Sequence, residues 1–153
     1  MNALSFLTRT NDSAAPLVAR LTLGLVMFPH GAQKALGWFG GYGYSGTMGF
    51  FTGTLHIPAV FAFLAIAAEF AGALALILGL FGRVAAFGMA AVMAVAILSV
   101  HATNGFFMNW NGNQKGEGFE YHLLVLGLAA IVMIYGAGKA SLDGIISQRI
   151  GGK

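Results

Sequence analysis

Residues 58–80 read PAVFAFLAIAAEFAGALALILGL, twenty-three residues whose only charge is Glu69. A helix needs about 20 predominantly apolar residues to cross the hydrocarbon core of a bilayer. This run opens on Pro58, which suits a first helical position, and closes on Gly79 and Gly82 around Phe81. It predicts a membrane-spanning helix. Residues 83–103, RVAAFGMAAVMAVAILSVHAT, are apolar again, and a connection this short predicts an antiparallel hairpin of two spans. Small residues at Ala86, Gly88, Ala90, Ala91, Ala94 and Ala96 permit close helix contact.

Two further runs flank this hairpin. Residues 17–36, LVARLTLGLVMFPHGAQKAL, start apolar and turn polar after Phe28, with Pro29 placed to kink the helix. Residues 120–138 supply a fourth, shorter run that ends at Gly136 and Gly138. The fold class expected is therefore an all-α integral membrane protein, a four-transmembrane-helix bundle forming one domain over 1–153, with spans 17–36, 58–80, 83–103 and 120–138. The segments between them, 37–57 and 104–119, are rich in glycine and aromatics or in polar residues. They read as ordered loops or re-entrant stretches at the membrane surface, the first too rich in glycine to suggest a helix. Ser141 can cap the segment 141–150, whose Leu142, Ile145, Ile146 and Ile150 recur at helical spacing, as in a short interfacial helix.

Composition agrees. Of 153 residues, 58% are hydrophobic and only 8% charged, with a mean hydropathy of +0.78; a soluble domain carries about 25% charged residues. A water-facing surface cannot be assembled from this. The net charge of +3 comes from basic residues scattered singly from Arg9 to Lys153, which form no patch for nucleic acid. They read as topology signals: Arg9, Arg20, Arg83, Lys139, Arg149 and Lys153 fall on one side, Lys34 and Lys115 on the other. That bias predicts both termini in the cytoplasm and the two aromatic loops facing outward. The N-terminal stretch lacks the pattern of a removable signal peptide, so the first span is expected to act as the targeting signal. With no cysteine, disulfide, thiolate, iron–sulfur and cysteine–zinc chemistry are excluded.

Against this background the polar residues stand out. Glu69 lies near mid-membrane, where an ionisable group costs on the order of 3 kcal/mol on insertion scales, so it must face the interior and find a partner. Lys34, His30 and His101 are the candidates. His30 and Lys34 share one helical face at i, i+4; Glu120 and His122 lie at the start of span four. Two readings of this set stand side by side. In one, His30, Lys34, Glu69, His101, Glu120 and His122 form a ligand-binding or proton-relay cluster. In the other, Glu69 belongs to a structural ion pair and Lys34 snorkels to the interface. No metal site is expected, since no HExxH or ExxH pattern appears and Glu120 and His122 diverge on a helix; haem is disfavoured on the same ground. Trp38, Phe39, Phe106 and Trp110 form an aromatic collar that serves as an interfacial belt or walls a pocket for a flat apolar ring. GAGKAS at 136–141 lacks P-loop spacing, and no G-x-S-x-G occurs.

Three segments together, RLTLGLVMFPHGAQKALGWFG at 20–40, EFAGALALILGLFGR at 69–83 and GAGKASLD at 136–143, resemble the DoxX family of small bacterial membrane proteins. The resemblance runs along nearly the whole chain. It implies a four-helix inner-membrane protein, with members linked to thiosulfate:quinone oxidoreductase subunits, oxidative-stress complexes and quinone or electrophile resistance. The family pattern carries over onto Arg20, His30, Gly31, Lys34, Glu69, Gly72, Gly79, Arg83, Gly136, Gly138, Ser141 and Asp143. Of these, Arg20, Gly31, Arg83, Ser141 and Asp143 are expected to be structural. The expected function is binding of a quinone or similar apolar ring compound in an outward-opening pocket, in the bacterial plasma membrane. Electrons would arrive from a membrane or periplasmic redox partner, and a homo-oligomer is compatible with the small-residue face of Gly72, Ala75 and Gly79. The alternative is a non-catalytic scaffold or small-molecule permeation protein whose buried charges hold the bundle together.

Overall fold

In the computed structural model the described residues are 3–151, and within them every regular element is helical. In chain order these are α1 (Ala3–Thr8), α2 (Ala14–Leu36), α3 (Gly43–Gly49), α4 (Ala59–Leu78), α5 (Gly82–Ala96), α6 (Glu120–Tyr135) and α7 (Leu142–Gly151). The four long helices pack in a cycle, α2 on α4, α4 on α5, α5 on α6 and α6 back on α2. One end carries α1, α7 and the tight turn between α4 and α5, and is called here the terminal end. The loop end carries the long connections 37–58 and 105–119.

The core is narrow and built from small and flexible side chains. Ala19, Leu23 and Met27 of α2 meet Ala73 and Leu76 of α4, Ala86, Met89 and Met93 of α5, and Val125, Ala129 and Val132 of α6. Equally apolar residues point the other way: Phe61, Phe87, Leu98, Leu124 and Ile134 are all more than half exposed. A helix apolar on all sides needs an apolar solvent on its outer face. Two helices, Ala59–Leu78 and Gly82–Asn104, are long and apolar enough to cross a bilayer. The second reaches that length because α5 continues through a π-helical turn, Ile97–His101, and a 3-10 turn, Ala102–Asn104. At about 1.5 Å per residue, the 16 residues of α6 extend only about 24 Å.

Local signals set the ends. The Ser13 hydroxyl oxygen accepts from the Ala15 N–H at 3.3 Å to open α2, and Gly37 in the left-handed region (φ 74) closes it. Pro29 lies inside α2, which continues past it to Leu36; the missing N–H leaves the Leu25 carbonyl without its helical donor. Pro58 stands just outside α4, with an extended ψ of 139.

Residues 43–54 correct the expectation of a loop, for they form α3 followed by a π-helical turn, Phe50–Thr54. A glycine just before this segment has a packing reason. A Cβ at Gly41 would collide with the Gln33 carbonyl oxygen, so the chain folds back directly onto the end of α2.

At the terminal end three charged side chains replace missing helix-end hydrogen bonds. Arg20, 1% exposed, donates to the carbonyls of Ala137 (2.7 Å), Leu76 (2.9 Å), Ile77 (2.6 Å), Lys139 (3.2 Å) and Ala140 (2.7 Å). Arg83 donates to Met133 and Ile134 at the end of α6 and to the Arg9 carbonyl. Asp143 accepts from the Phe81 and Gly82 N–H groups at 2.7 and 2.8 Å, capping the start of α5. The signs match the helix dipoles, cations at C-terminal ends and the carboxylate at an N-terminal end. Ser141 accepts from the Gly144 N–H at 3.1 Å and so caps α7. Of the basic residues read as topology signals, Lys153 lies outside the described residues.

Candidate functional site

Where α2 crosses α4 near the loop end, the two backbones come unusually close. A Cβ on Gly31 would stand 2.5 Å from the Glu69 carbonyl oxygen, and one on Gly24, seven residues earlier on the same helix, 2.9 Å from the Ala73 carbonyl oxygen. Only glycine fits this seam. The close approach brings Lys34, one turn beyond His30, over Glu69.

The Lys34 Nζ stands 2.6 Å from Glu69 Oε2, with side chains 28% and 4% exposed respectively. Among the described residues no other group hydrogen-bonds that oxygen, and even the lysine contact lacks aligned hydrogen-bond geometry. Charge therefore holds the pair, in surroundings where an unpaired carboxylate would be far more costly. Phe28 and Phe70 stack beside it at 5.8 Å.

His30 is exposed beside the pair and close enough to interact electrostatically with both of its members. Its ring lies 6.3 Å from that of Tyr121, whose hydroxyl points inward to the Met27 sulfur at 3.2 Å. Tyr121 meets His122 edge-on at 5.8 Å, and His122 lies 4.2 Å from His101. His101 is anchored in turn through Nδ1 to the Glu117 carbonyl at 2.8 Å. The π-helical turn that ends on His101 sets the direction of that side chain toward α6, the kind of local irregularity that recurs at functional positions.

The six polar candidates thus divide. Lys34, Glu69 and His30 come together; His101 pairs with His122 instead of Glu69, and Tyr121 stands between the two groups. Glu120 points elsewhere: its Oε1 accepts from the Met108 N–H at 2.9 Å and the Trp110 indole N–H at 3.2 Å, pinning the 105–119 connection. Trp38, Phe39, Phe106 and Trp110 are between 46% and 84% exposed. Among the described residues, no three His, Asp or Glu side chains converge as they would around a metal ion. Two surface cavities open at the terminal end, away from Glu69.

Tyr121 was not singled out from sequence. Its signal was present, since Tyr121, Val125, Ala129 and Val132 repeat at helical spacing and all face inward, but a tyrosine at the start of a span reads equally as an interfacial residue.

The sequence pattern of the DoxX family matches residues 15–102, more than half of the chain. The chain belongs to the DoxX family. The match takes in α2, the α3 segment, α4 and α5, and so includes Gly31, Lys34, Glu69 and His101, while Tyr121, His122 and the α7 cap lie beyond it. No curated protein and no solved structure matches the chain. Family membership and the two bilayer-length apolar helices make this DoxX protein a membrane protein in contact with lipid.

Proposed function

We propose that α2, α4, the extended α5 and α6 are four membrane spans of one domain, in a bacterial plasma membrane with both termini cytoplasmic. On this reading the protein binds a quinone or similar apolar ring compound beside the Lys34–Glu69 pair. The observation that carries the reading is that pair itself: two charges held together within an apolar helix seam, with exposed His30 beside them and Tyr121 behind. An ammonium and an imidazole are suited to hydrogen-bond a carbonyl oxygen of the ring, and a carboxylate beside them can exchange protons with it. The orientation is supported by Arg9, Arg20, Arg83, Lys139 and Arg149 at the terminal end against Lys34 and Lys115 at the loop end. Electrons for any redox step come from a partner protein or from the substrate.

The test uses the paired variant Lys34→Met/Glu69→Gln, which removes both charges and leaves neither buried alone. Purified wild-type protein is expected to retain a quinone in lipid extracts and to bind an added short-chain quinone, and the paired variant to lose both while folding normally. Binding unchanged in the paired variant refutes the proposal. A second reading, a scaffold whose buried charges only lock the helices, is favoured by the Glu69 side chain being 4% exposed and already paired with Lys34. It predicts no quinone in either protein, and a large fall in melting temperature for Glu69→Gln alone.

A further inference from the structure

At the terminal end a cavity is lined by Arg9, Thr10, Asn11, Arg83, Ile134 and Tyr135. Its chemistry is one-sided. Two guanidinium groups lie close enough to repel one another, and among the described residues neither forms an ion pair, the pair between Lys34 and Glu69 being at the other end. The Asp143 carboxylate, whose charge acts on Arg83, is committed to the N–H groups of Phe81 and Gly82. Asp12 lines the neighbouring cavity and not this one.

The donors in the cavity are largely uncommitted. Arg83 uses most of its N–H groups on the carbonyls of Met133, Ile134 and Arg9. By contrast the Arg9 guanidinium, the Asn11 side-chain amide and the Tyr135 hydroxyl make no hydrogen bond among the described residues. The backbone that carries them is nevertheless held firmly: the Asn11 N–H donates to the Tyr135 carbonyl at 2.9 Å, and the Gly138 N–H to the Thr10 hydroxyl oxygen at 2.6 Å. This is a preformed cluster of donors with net positive charge, and among the described residues no carboxylate lines it.

Its surroundings are apolar and face outward. The Phe6 ring covers the Arg83 guanidinium at 5.7 Å, and Phe6, Val84, Phe87 and Ile134 are 54%, 49%, 65% and 65% exposed. A tyrosine and arginines at the end of an apolar helix wall mark the level of lipid headgroups. We propose that this cavity binds the phosphodiester headgroup of an anionic phospholipid, its acyl chains lying along the exposed faces of α5 and α6. A phosphodiester offers only acceptors and a negative charge, the complement of what Arg9, Arg83, Asn11 and Tyr135 present. Basic pockets at the ends of spans are suited to this ligand class, and the site owes nothing to the Lys34–Glu69 pair at the opposite end.

The test is the melting temperature of the full chain in a neutral maltoside detergent, with phosphatidylglycerol, phosphatidylcholine or inorganic phosphate added. A ligand that binds only the folded state raises the melting point. Phosphatidylglycerol is expected to raise it by about 5 °C, with phosphatidylcholine and inorganic phosphate each giving less than a quarter of that rise. Arg9→Gln, a substitution at an exposed side chain, should lose more than half of the increment measured from its own lipid-free baseline, while Arg9→Lys keeps most of it. Lys115→Gln, which removes an equal charge at the loop end, should keep all of it. An equal rise with phosphatidylcholine overturns the proposal, as does a full increment in Arg9→Gln. An equal rise with inorganic phosphate overturns it in favour of a free-anion site.

Discussion

Replacing Arg20 with methionine should destabilise the fold strongly, although the substitution removes a buried charge that is itself costly to desolvate. The two effects oppose each other, and their sizes decide the outcome. Exchanging a buried ion pair for apolar side chains is often neutral or favourable, but Arg20 pairs mainly with backbone. Its five hydrogen bonds, 2.6–3.2 Å long, end on carbonyls that methionine leaves in place without donors. An orphaned buried acceptor costs about 1–3 kcal/mol. Two of the five, those of Leu76 and Ile77, are at the end of α4, and three belong to the 137–140 connection. The losses do not add fully, because one rigid guanidinium makes all five bonds and the connection can relax. A net cost of about 4 kcal/mol follows, against a total stability of about 5–15 kcal/mol. For a chain of this size that is a fall of about 8–16 °C in melting temperature. Arg20→Lys retains the charge but offers three donors from one point, so it should lose about half as much. The assay is thermal unfolding in detergent, followed by tryptophan fluorescence and by the monodisperse fraction on gel filtration. Arg20→Met melting within about 3 °C of wild type would refute the reasoning and mean that the carbonyls find other donors.

Three further outcomes are expected. Gly31→Ala forces a Cβ against the Glu69 backbone and should both destabilise the protein by about 2 kcal/mol and weaken the Lys34–Glu69 contact; Gly127→Ala, with open space around it on an exposed helix face, should stabilise by about 0.5–1 kcal/mol. Comparison of the two melting curves checks the assignment, which fails if their order reverses. Burial pushes the Asp143 carboxyl above its ordinary value, outweighing the Gly82 and Phe81 N–H groups and the charges of Arg20 and Arg83, which pull it down. With the folded pKa above the unfolded one, the folded state holds its proton longer. The contribution of this group to stability is therefore complete below the unfolded pKa of about 3.9 and is lost as pH rises through the folded value. Melting temperatures across that range should show this component in wild type and not in Asp143→Asn, and an opposite slope would contradict the sign. Glu120→Ala releases Met108 and Trp110, so limited proteolysis should cut the 105–119 connection several times faster while the helices stay intact; unchanged cleavage would mean that other contacts hold that segment.

The apolar runs that became α4 and the extended α5, the glycine that ends α4, and the Ser141 cap of α7 were all legible in sequence. Each is local: a run of a stated length, or a residue whose backbone preference acts within one turn. The coarse site was legible too, because a lone carboxylate in a 23-residue apolar run must find a partner, and Lys34 was among the three candidates. Which candidate it met was not, since Lys34 and Glu69 are far apart in sequence and their meeting depends on how closely Gly24 and Gly31 let α2 approach α4. The same limit hid the use of Arg20 and Glu120. Arg20 is expected from sequence to be structural and Glu120 to join the polar cluster, and only the packed structure shows one spent on five carbonyls and the other on a loop.

Sequence alone determined that this chain is helical and lives in lipid, because apolar composition and run length set the solvent a helix tolerates irrespective of its neighbours. Tertiary structure decided which charges pair, which cap helices and which stay without an ion-pair partner among the described residues. Those outcomes depend on distances of a few ångström between elements remote in the chain, and a single Cβ at Gly31 would be enough to change them.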